Sequence, residues 1–448
     1  MKILWVKAGK LLPVDTGGKI RSYNLLRQLA ARHDVTLLSY YSGHPDPTYE
    51  AELGRQFPLA VTVRTGVPDG PAACIALDYA RRVFSPAPYA VTKFTSRRVS
   101  RLIKTWYREG RFDVAVCDFL SASLNFPAVL STPSMLFEHN VESVLWRRQA
   151  THEPNALKRL AFSFEAAKMA RYERATARRF PHVIAVSEPD RQELMSMTEM
   201  TDPSRVWVVP TGVDVDRYRT AAGVSTRQPL VMFVGSMDWE ANIDAVDYFC
   251  REIWPMVRAA VPSARFRIVG RNPHPRVLKL AGDSVNVTGG VPSVVDHLRE
   301  AAVFVVPLRV GGGTRLKIFE AMAAGKAVVS TPVGAEGLDV HDGRDIVLAD
   351  TPSRFAEAVI DLLHNPERRR QLEVAATELA AQYDWSVIAE RFESILANAA
   401  VSRVAITDVV RPFPPSREAS AGRRSLGGGG QGRDLDSKGP ILPERAET

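Results

Sequence analysis

Short apolar runs alternate with longer helical patterns from the first residues of the chain to about Ala399. This alternation is typical of parallel sheets built from βαβ units, so the sequence predicts an α/β fold. A polar stretch between Pro210 and Pro229 interrupts the series, which then begins again. Two doubly wound, Rossmann-like domains in tandem explain this better than one very wide sheet. Strands are predicted at Lys2–Val6, Val35–Tyr40, Leu59–Val63, Asp113–Cys117, Ser134–Phe137, His182–Val186, Val206–Val209, Leu230–Val234, Phe266–Val269, Val285–Thr288, Val303–Val306, Ala327–Ser330 and Ile346–Leu348.

The same pattern divides the chain into four parts. We expect an N-terminal domain over residues 1–212, a second domain over 213–384, and a helix over 385–400 that packs back toward the first domain. Val387, Ile388, Phe392, Ile395 and Leu396 share one face of that helix. Residues 401–448 are rich in Pro, Gly and charged residues and are predicted to be a disordered tail.

Composition restricts the location of the protein. Of 448 residues, 45% are hydrophobic, and Lys plus Arg exceed Asp plus Glu by a net charge of +8. Cys74, Cys117 and Cys250 are scattered, without the spacing of a zinc site or a disulfide framework, which indicates a reducing compartment. No apolar run reaches the roughly 18 residues of a membrane span, and the opening run is too short for a signal peptide. We therefore expect a cytoplasmic protein, with the inner face of the cytoplasmic membrane as a further expected location.

The most informative segment is Val305–Thr331, in which a predicted strand, a glycine loop and a helix follow one another. The glycines Gly311 to Gly313 allow close approach to a ligand, and the free amides at the helix start, near Thr314, suit an anion. Arg315 and Lys317 add positive charge. Glu320, two turns into the helix, could accept hydrogen bonds from vicinal sugar hydroxyls. The alternative is a flexible turn with the carboxylate facing water.

Two segments of the first domain add candidate residues. Gly17 and Gly18 follow the first strand and precede a helix, and His139 lies in the loop FEHNVES directly after another predicted strand. Loops at the C-terminal ends of parallel strands are where such sheets bind ligands. The Gly17-Gly18 loop matches neither a dinucleotide fingerprint nor a Walker loop. A structural turn at the glycines and a structural histidine remain open alternatives.

Together these segments resemble the retaining glycosyltransferases of family 4, which have the GT-B fold of two Rossmann-like domains facing across a cleft. The resemblance also includes VVPTGVDVDRY at Val208–Tyr218 and is strongest in KIFEAMAAGKAVVS at Lys317–Ser330. It implies transfer of a sugar, with retention, from a nucleotide-sugar donor to a glycan or lipid-linked acceptor. By this resemblance Glu320 binds the ribose hydroxyls and His139 lies beside the transferred sugar. It also implies that Gly17, Gly18, Arg315 and Lys317 surround the diphosphate, with Arg315 and Lys317 as catalytic residues together with His139. Gly312, Gly313 and Thr314 are the further donor-binding residues.

The chain departs from the family pattern at three positions. Gly312 stands where an acidic residue usually contacts the donor sugar, and Ser236 and Asn242 stand where many members have an Arg and a Lys. Arg315 and Lys317 are expected to compensate for the two missing cations. The variant loops resemble a subgroup associated with bacterial polysaccharide assembly, including exopolysaccharide biosynthesis.

The expected chemistry needs neither a metal nor a cofactor, since the nucleotide sugar is a substrate and no paired acidic motif suits Mg²⁺. Fixed cations and helix N-termini can stabilise a departing diphosphate. Three other functions remain as alternatives: a nucleotide-sugar-binding protein without transferase activity, another GT-B enzyme such as an epimerase, and a nucleic-acid-binding protein. The last is suggested only by the basic pI, without a basic-aromatic motif to support it.

The segment Thr151–Phe180 carries a net charge of +4 and a helical pattern that includes Leu157, Leu160, Ala161 and Phe164. Such a helix could rest on anionic lipid and bring a lipid-linked acceptor to the cleft, as a peripheral membrane contact. A solvated face of a basic protein is the alternative.

Overall fold

The structure, a computed structural model, describes residues 1–65, 72–153, 155–200, 202–219, 229–310 and 316–401. Within these residues two parallel sheets form, one of seven strands and one of six. The predicted α/β architecture of two doubly wound domains is confirmed.

The first domain contains the seven-stranded sheet, in the order β3-β2-β1-β4-β5-β6-β7. Its elements are β1 (Lys2–Ala8), α1 (Gly17–Ala30), β2 (Asp34–Tyr41), α2 (Pro47–Gln56), β3 (Val61–Arg64), α3 (Ala72–Arg82), α4 (Tyr89–Thr92), α5 (Arg97–Arg108), β4 (Val114–Asp118), β5 (Ser134–Phe137), α6 (Glu142–His152), α7 (Ala156–Arg179), β6 (His182–Ala185), α8 (Glu188–Thr198) and β7 (Val206–Val208). Short 3₁₀ segments lie at Leu120–Asn125 and Pro203–Arg205.

The second domain contains the six-stranded sheet, in the order β10-β9-β8-β11-β12-β13. Its elements, with the helices that flank it, are α9 (Val215–Arg219), β8 (Leu230–Val234), α10 (Glu240–Tyr248), α11 (Trp254–Ala260), β9 (Arg265–Val269), α12 (Pro275–Leu278), β10 (Val285–Val287), α13 (Val294–Glu300), β11 (Val303–Val306), α14 (Leu316–Ala323), β12 (Ala327–Ser330), β13 (Val347–Leu348), α15 (Pro352–His364), α16 (Pro366–Ala381) and α17 (Trp385–Val401). A π-helical turn, Phe249–Ile253, joins α10 to α11.

The strands occur where the apolar runs predict them because both faces of each sheet are covered by helices. The central strands β4, β5, β11 and β12 are buried at every residue, as continuous runs of apolar residues require. Several strand ends differ from the predicted ones by one or two residues; the third strand, for example, starts at Val61 rather than Leu59. Leu59 lies in a turn and is 49% exposed, so its apolar side chain does not mark a strand position.

Proline and short polar side chains set several helix starts. Asp46, Thr351 and Asn365 each precede a proline at the first helical position, and each accepts a hydrogen bond from the amide three residues on. The fixed φ of proline suits this position, and the polar cap satisfies an amide that has no partner within the helix.

The last helix, α17, leaves the second domain and packs against the first. Its Phe392 ring lies 5.5 Å from that of Trp5 and 5.2 Å from that of Phe137, which closes one face of the first sheet. The chain therefore crosses between the domains twice, near Val213 and near Asp384, and these two residues form a parallel β-bridge. The predicted tail begins at the end of α17, and residues 402–448 lie outside the described residues.

The C-terminal edges of the two sheets meet. Ser187 follows β6, and Gly337 lies in the loop after β12, where an added Cβ would be 3.5 Å from the Cβ of Ser187. Beside them, Arg148 of α6 pairs with Glu336 at 3.4 Å. The C-terminal edges of the two sheets thus face one another across a cleft. Because ligands bind at the C-terminal edges of parallel sheets, both edges are candidate binding edges.

Candidate functional site

A buried cluster of polar side chains lies at the switch point of the first sheet, between β1 and β4. Asp118, the last residue of β4, has no exposed surface. Its Oδ2 accepts hydrogen bonds from Nζ of Lys7 at 3.1 Å, Oγ of Ser22 at 2.7 Å and Nε1 of Trp5 at 2.9 Å. Burial by itself raises the pKa of Asp118, but Lys7 and His139 outweigh it and hold the pKa below its usual value. The carboxylate is therefore ionised and orients the donors around it.

His139 completes this cluster from the loop after β5. Its Nε2 lies 2.7 Å from Oδ1 of Asp118, and its Nδ1 lies 2.9 Å from Nη1 of Arg21. The ring stacks on Phe119 with centroids 3.8 Å apart and leans on Phe137 at 4.3 Å. Burial lowers the pKa of His139 to about 3, with Asp118 opposing and Arg21 assisting the change.

The imidazole is only 1% exposed, and the protein itself occupies both ring nitrogens. In this arrangement the contacts of the ring hold the loop after β5 in place, and neither ring nitrogen faces open space. Its expected place beside the transferred sugar stays a prediction.

Gly17 and Gly18 open helix α1, as predicted. The side chain of Thr16, at the helix cap, makes no capping hydrogen bond, so the first amides of α1 are not satisfied by a cap side chain. Such a helix start suits an anion. At Gly18 a Cβ would lie 2.5 Å from Cζ of Phe119 and 3.8 Å from Nδ1 of His139. This glycine is therefore needed for packing of the Phe119 ring. Contact of the two glycines with a diphosphate stays a prediction.

Arg21 and Thr211 belong to the same cluster, and the sequence did not single them out. Arg21 is 4% exposed and donates from Nε to Oγ1 of Thr211 at 2.9 Å. Burial lowers the pKa of Arg21 to about 10. A signal was present: Arg21 occupies the apolar stripe of α1, four residues before Leu25, where a charged side chain is unusual.

A second cluster lies at the switch point of the other sheet, between β8 and β11. Lys317 of α14 donates from Nζ to Oδ1 of Asn242 on α10 at 2.8 Å, and the ammonium lies 4.4 Å from the ring centroid of Phe233. Asn242 in turn donates to the carbonyl of Ser236 at 2.9 Å. A Cβ on Gly235 would be 2.7 Å from Nδ2 of Asn242, so glycine is needed for this close approach.

Arg271 adds a second cation to this edge, and the sequence analysis missed it. It follows β9 and donates from Nε to Oγ of Ser236 at 3.0 Å. Ser236 and Asn242 are the two positions at which the family resemblance leads one to expect cations. In the structure each of them contacts a cation from another element, Arg271 and Lys317 respectively.

Glu320 lies one turn after Lys317 on α14 and is half-buried. Its carboxylate accepts a hydrogen bond from the hydroxyl of Tyr218 in α9, a residue that is 5% exposed. Burial raises the pKa of Glu320, while Tyr218, Arg217 and Lys317 oppose that change. Burial and the neighbouring carboxylate raise the pKa of Tyr218, which is therefore a fixed donor. Tyr218 orients the carboxylate, and sequence reasoning gave it no such role. Its signal was its place in the segment VVPTGVDVDRY, which carries the family resemblance.

Four predicted site residues, Gly312, Gly313, Thr314 and Arg315, lie outside the described residues, as does Gly311. Helix α14 is described from Leu316 onward. Over the described ranges, no group of three or more His, Cys, Asp or Glu side chains could hold a metal ion. The contacts of Gly312 and Arg315 with a donor stay predictions.

Both domains match models of glycosyltransferase families. Residues 16–217 match Glycosyltransferase Family 4, and residues 228–365 match Glycosyl transferases group 1. The two models together span about three quarters of the chain, and they identify it as a glycosyltransferase with the two-domain organisation of family 4.

Relatives and solved structures agree with this class. A phosphatidyl-myo-inositol mannosyltransferase of Mycolicibacterium smegmatis is 24% identical over 405 residues, which is 84% of this chain and 88% of the relative. The crystal structure of Anabaena HepE in complex with UDP matches 89% of this chain and 100% of its own, with a TM-score of 0.60 and 14% identity. WaaG, a glycosyltransferase involved in lipopolysaccharide biosynthesis, matches 88% of this chain and 99% of its own, with a TM-score of 0.57 and 16% identity. The fold is therefore GT-B, as expected.

Proposed function

We propose that this glycosyltransferase moves a sugar from a nucleotide-sugar donor to a glycan or lipid-linked acceptor, with retention of the anomeric configuration. The observation that carries the proposal is the cluster at the second switch point, where Glu320, held by Tyr218, lies one helical turn from the ammonium of Lys317. A carboxylate and a cation at this spacing suit the two halves of a nucleoside diphosphate, its ribose hydroxyls and its phosphates.

The proposed catalysis is electrostatic. As the glycosidic bond breaks, negative charge grows on the diphosphate, and a cation already in place stabilises that charge without reorganisation. Lys317 and Arg271 lie at the edge of the sheet where this charge would form. We propose that the transfer needs no metal ion. Activity that EDTA abolishes and Mg²⁺ restores would contradict this part.

Similar proteins favour a glycan or lipid-linked acceptor. The relative from Mycolicibacterium smegmatis is a phosphatidyl-myo-inositol mannosyltransferase, and WaaG is a glycosyltransferase involved in lipopolysaccharide biosynthesis. We therefore propose a role in building a polysaccharide or glycolipid.

The test begins with the donor. Purified protein is screened against UDP-, GDP- and ADP-sugars by thermal shift, since a ligand that binds only the folded state raises the apparent melting temperature. The best donor is then incubated with lipid-extract and glycan acceptors, and nucleotide release and the anomeric configuration of the product are measured by NMR. The variant E320A, which should lose donor binding, is the matched control.

Each outcome bears on the proposal. A product with the donor's anomeric configuration, formed only with acceptor present, supports it. An isomerised donor without acceptor would instead show an epimerase. Tight donor binding with no turnover on any acceptor would show a sugar-nucleotide sensor.

We further propose that helix α7 brings the protein to an anionic membrane. Within its first half Leu157, Leu160 and Phe164 are 81%, 69% and 48% exposed, and the exposed Lys158 and Arg159 lie among them. Apolar and basic side chains on one helix surface suit the interface of anionic lipid. The predicted positive charge is partly internal, because Lys168 and Glu165 form a buried pair at 3.1 Å. No helix of the described ranges has the length and hydropathy needed to cross a bilayer.

Flotation with vesicles of phosphatidylglycerol and phosphatidylcholine tests this contact. We expect wild-type protein to float with anionic vesicles and the triple variant L157S/L160S/F164S to remain below. L278S is the control, because Leu278 is 50% exposed on the other domain. Equal flotation of the wild type and the triple variant would contradict the proposal.

A further inference from the structure

Arg21 connects His139 to the segment that crosses between the domains. Its guanidinium reaches Nδ1 of His139 at 2.9 Å in one direction and Oγ1 of Thr211 at 2.9 Å in the other. All three side chains are buried, with exposures of 4%, 1% and 0%. A buried arginine is costly unless its donors are satisfied, so this arrangement calls for a reason.

The contacts of His139 determine which of its nitrogens carries the proton. The carboxylate of Asp118 only accepts, so Nε2 of His139 is the protonated nitrogen that faces it at 2.7 Å. The guanidinium of Arg21 only donates, so Nδ1 must be the unprotonated acceptor. Arg21 is therefore compatible with one tautomer of a neutral ring.

Thr211 is fixed to the point where the chain passes between the domains. Two residues on, the amide of Val213 donates to the carbonyl of Tyr383 at 2.8 Å, and the amide of Trp385 donates back to Val213 at 3.2 Å. Between them, a Cβ on Gly212 would be 2.6 Å from the ring of Trp385. The two segments that cross between the domains are thus hydrogen-bonded to each other, close to Thr211, which Arg21 contacts.

We propose that Arg21 is a positioning residue that fixes the tautomer and place of His139 and ties them to the interdomain crossing at Thr211. A relative rotation of the two domains about the crossing then moves the hydroxyl that Arg21 holds, and through Arg21 it moves the loop after β5. The loop after β5 would therefore occupy its working position at only one relative orientation of the two domains. The consequence for catalysis rests on the proposed function; the link between the three side chains does not.

The ring has charged neighbours on three elements: Asp118 on β4, Lys7 on β1 and Arg21 on α1, with Asp190 of α8 acting on Arg21 in turn. Removing Arg21 takes away a positive charge that disfavours protonation and also frees Nδ1. His139 should therefore take up a proton at higher pH, held by Asp118 on the other side.

The first test needs no activity. Full-length protein labelled with ¹⁵N-histidine is titrated by NMR as wild type, R21M and the control R27M, which removes an exposed arginine from the same helix. The His139 signals are assigned by their loss in H139N. We expect the Nε2–H tautomer across pH 5–8 in the wild type and R27M, and a titrating ring in R21M. The same tautomer and titration in R21M as in the wild type would overturn the proposal. Where R21M is not folded by circular dichroism, R21Q takes its place.

The second test addresses the crossing. T211V keeps the bond between Arg21 and His139 and removes the acceptor at the crossing. We expect kcat to fall about 10- to 100-fold in R21M and T211V, as small misplacements at reacting centres do, with a smaller change in the KM for donor. Wild-type kinetics in T211V would overturn the link to the crossing. If the wild type transfers no sugar, the proposed function fails, and the NMR titration still decides whether Arg21 positions His139.

Discussion

Lys317 and Asn242 are joined by a hydrogen bond of 2.8 Å between Nζ and Oδ1, which links α14 to α10 across the switch point of the second sheet. Asn242 stands where the family resemblance leads one to expect a lysine, and Lys317 reaches the same place from another helix. Arg271 donates from Nε to Oγ of Ser236 at 3.0 Å, so this edge of the second sheet has two cations. They come from sequence positions other than those of the family pattern.

Replacing Lys317 with Met should weaken binding of nucleoside diphosphates. An ionic hydrogen bond to phosphate contributes about 1.5–3 kcal/mol, so the Kd should rise about ten- to a hundredfold. R271M should show a smaller change in the same direction, because Arg271 is exposed. Isothermal titration with the nucleoside diphosphate, monophosphate and nucleoside of the base that the thermal-shift screen selects measures this effect, which should be largest for the diphosphate and absent for the nucleoside. Equal losses for all three ligands would show that the lysine does not contact phosphate.

Replacing Glu320 with Ala should abolish tight donor binding while the domain stays folded, because the half-buried carboxylate lies on the site side of α14 with Tyr218 as its donor. Loss of a charged hydrogen-bond acceptor costs about 1.5–3 kcal/mol. Y218F should give an intermediate loss, since it keeps the carboxylate and removes the group that orients it. Donor titration and circular dichroism melting measure the two effects. Unchanged Kd in E320A would refute the ribose assignment.

The stability that the neutral His139 ring contributes should be lost as the pH drops below about 6.5, whereas Glu138 and Glu173, whose pKa values are raised by burial, act in the opposite direction. The pKa of His139 is lowered by burial to about 3, so between these values the unfolded chain binds a proton that the folded chain does not. Asp118 acts in the same direction, because its lowered pKa contributes stability that is lost as the carboxylate is protonated. Each such proton changes the unfolding free energy by up to about 1.4 kcal/mol per pH unit.

Urea unfolding at pH 7, 6, 5 and 4 measures this slope. H139Q keeps a polar side chain that does not titrate, so between pH 6.5 and 4 its unfolding free energy should fall less, relative to its value at pH 7, than that of the wild type. An identical slope in both proteins would mean that His139 is not buried as a neutral ring.

Substitution of Gly18 by Ala should disturb the first cluster, because the new methyl group would lie 2.5 Å from the Phe119 ring that stacks on His139. Overpacking of this kind typically costs about 1–3 kcal/mol. G54A is the control, since Gly54 lies within helix α2 with nothing within 4 Å of an added Cβ. There alanine should stabilise by about 0.4–1 kcal/mol. Thermal melting should thus move in opposite directions for the two variants.

The two-sheet architecture could be predicted because it depends on local pattern. Each strand is covered on both faces, so it appears in the sequence as an unbroken apolar run, as at Val303–Val306, and its position along the chain suffices to find it. Glu320 and Lys317 were found for a related reason, since loops and helix starts after parallel strands are the binding edge of such sheets.

The partners of these residues could not be read in the same way. Asp118 and Arg21 meet His139 from positions 21 and 118 residues away, and Thr211 meets Arg21 from 190 residues away. Tyr218 of α9 reaches Glu320 of α14. A hydrogen bond depends on distances of tenths of an ångström between side chains, and no periodicity in the chain encodes such distances.

The sequence by itself thus determined the number of strands, their positions along the chain and their parallel direction, because burial of apolar surface acts residue by residue. Only the tertiary structure decided which charged side chains share a buried site, which ring nitrogen of His139 carries the proton, and that Lys317 and Arg271 contact Asn242 and Ser236. Those features arise from the packing of elements far apart in the chain, where desolvation makes each charge depend on the partners around it.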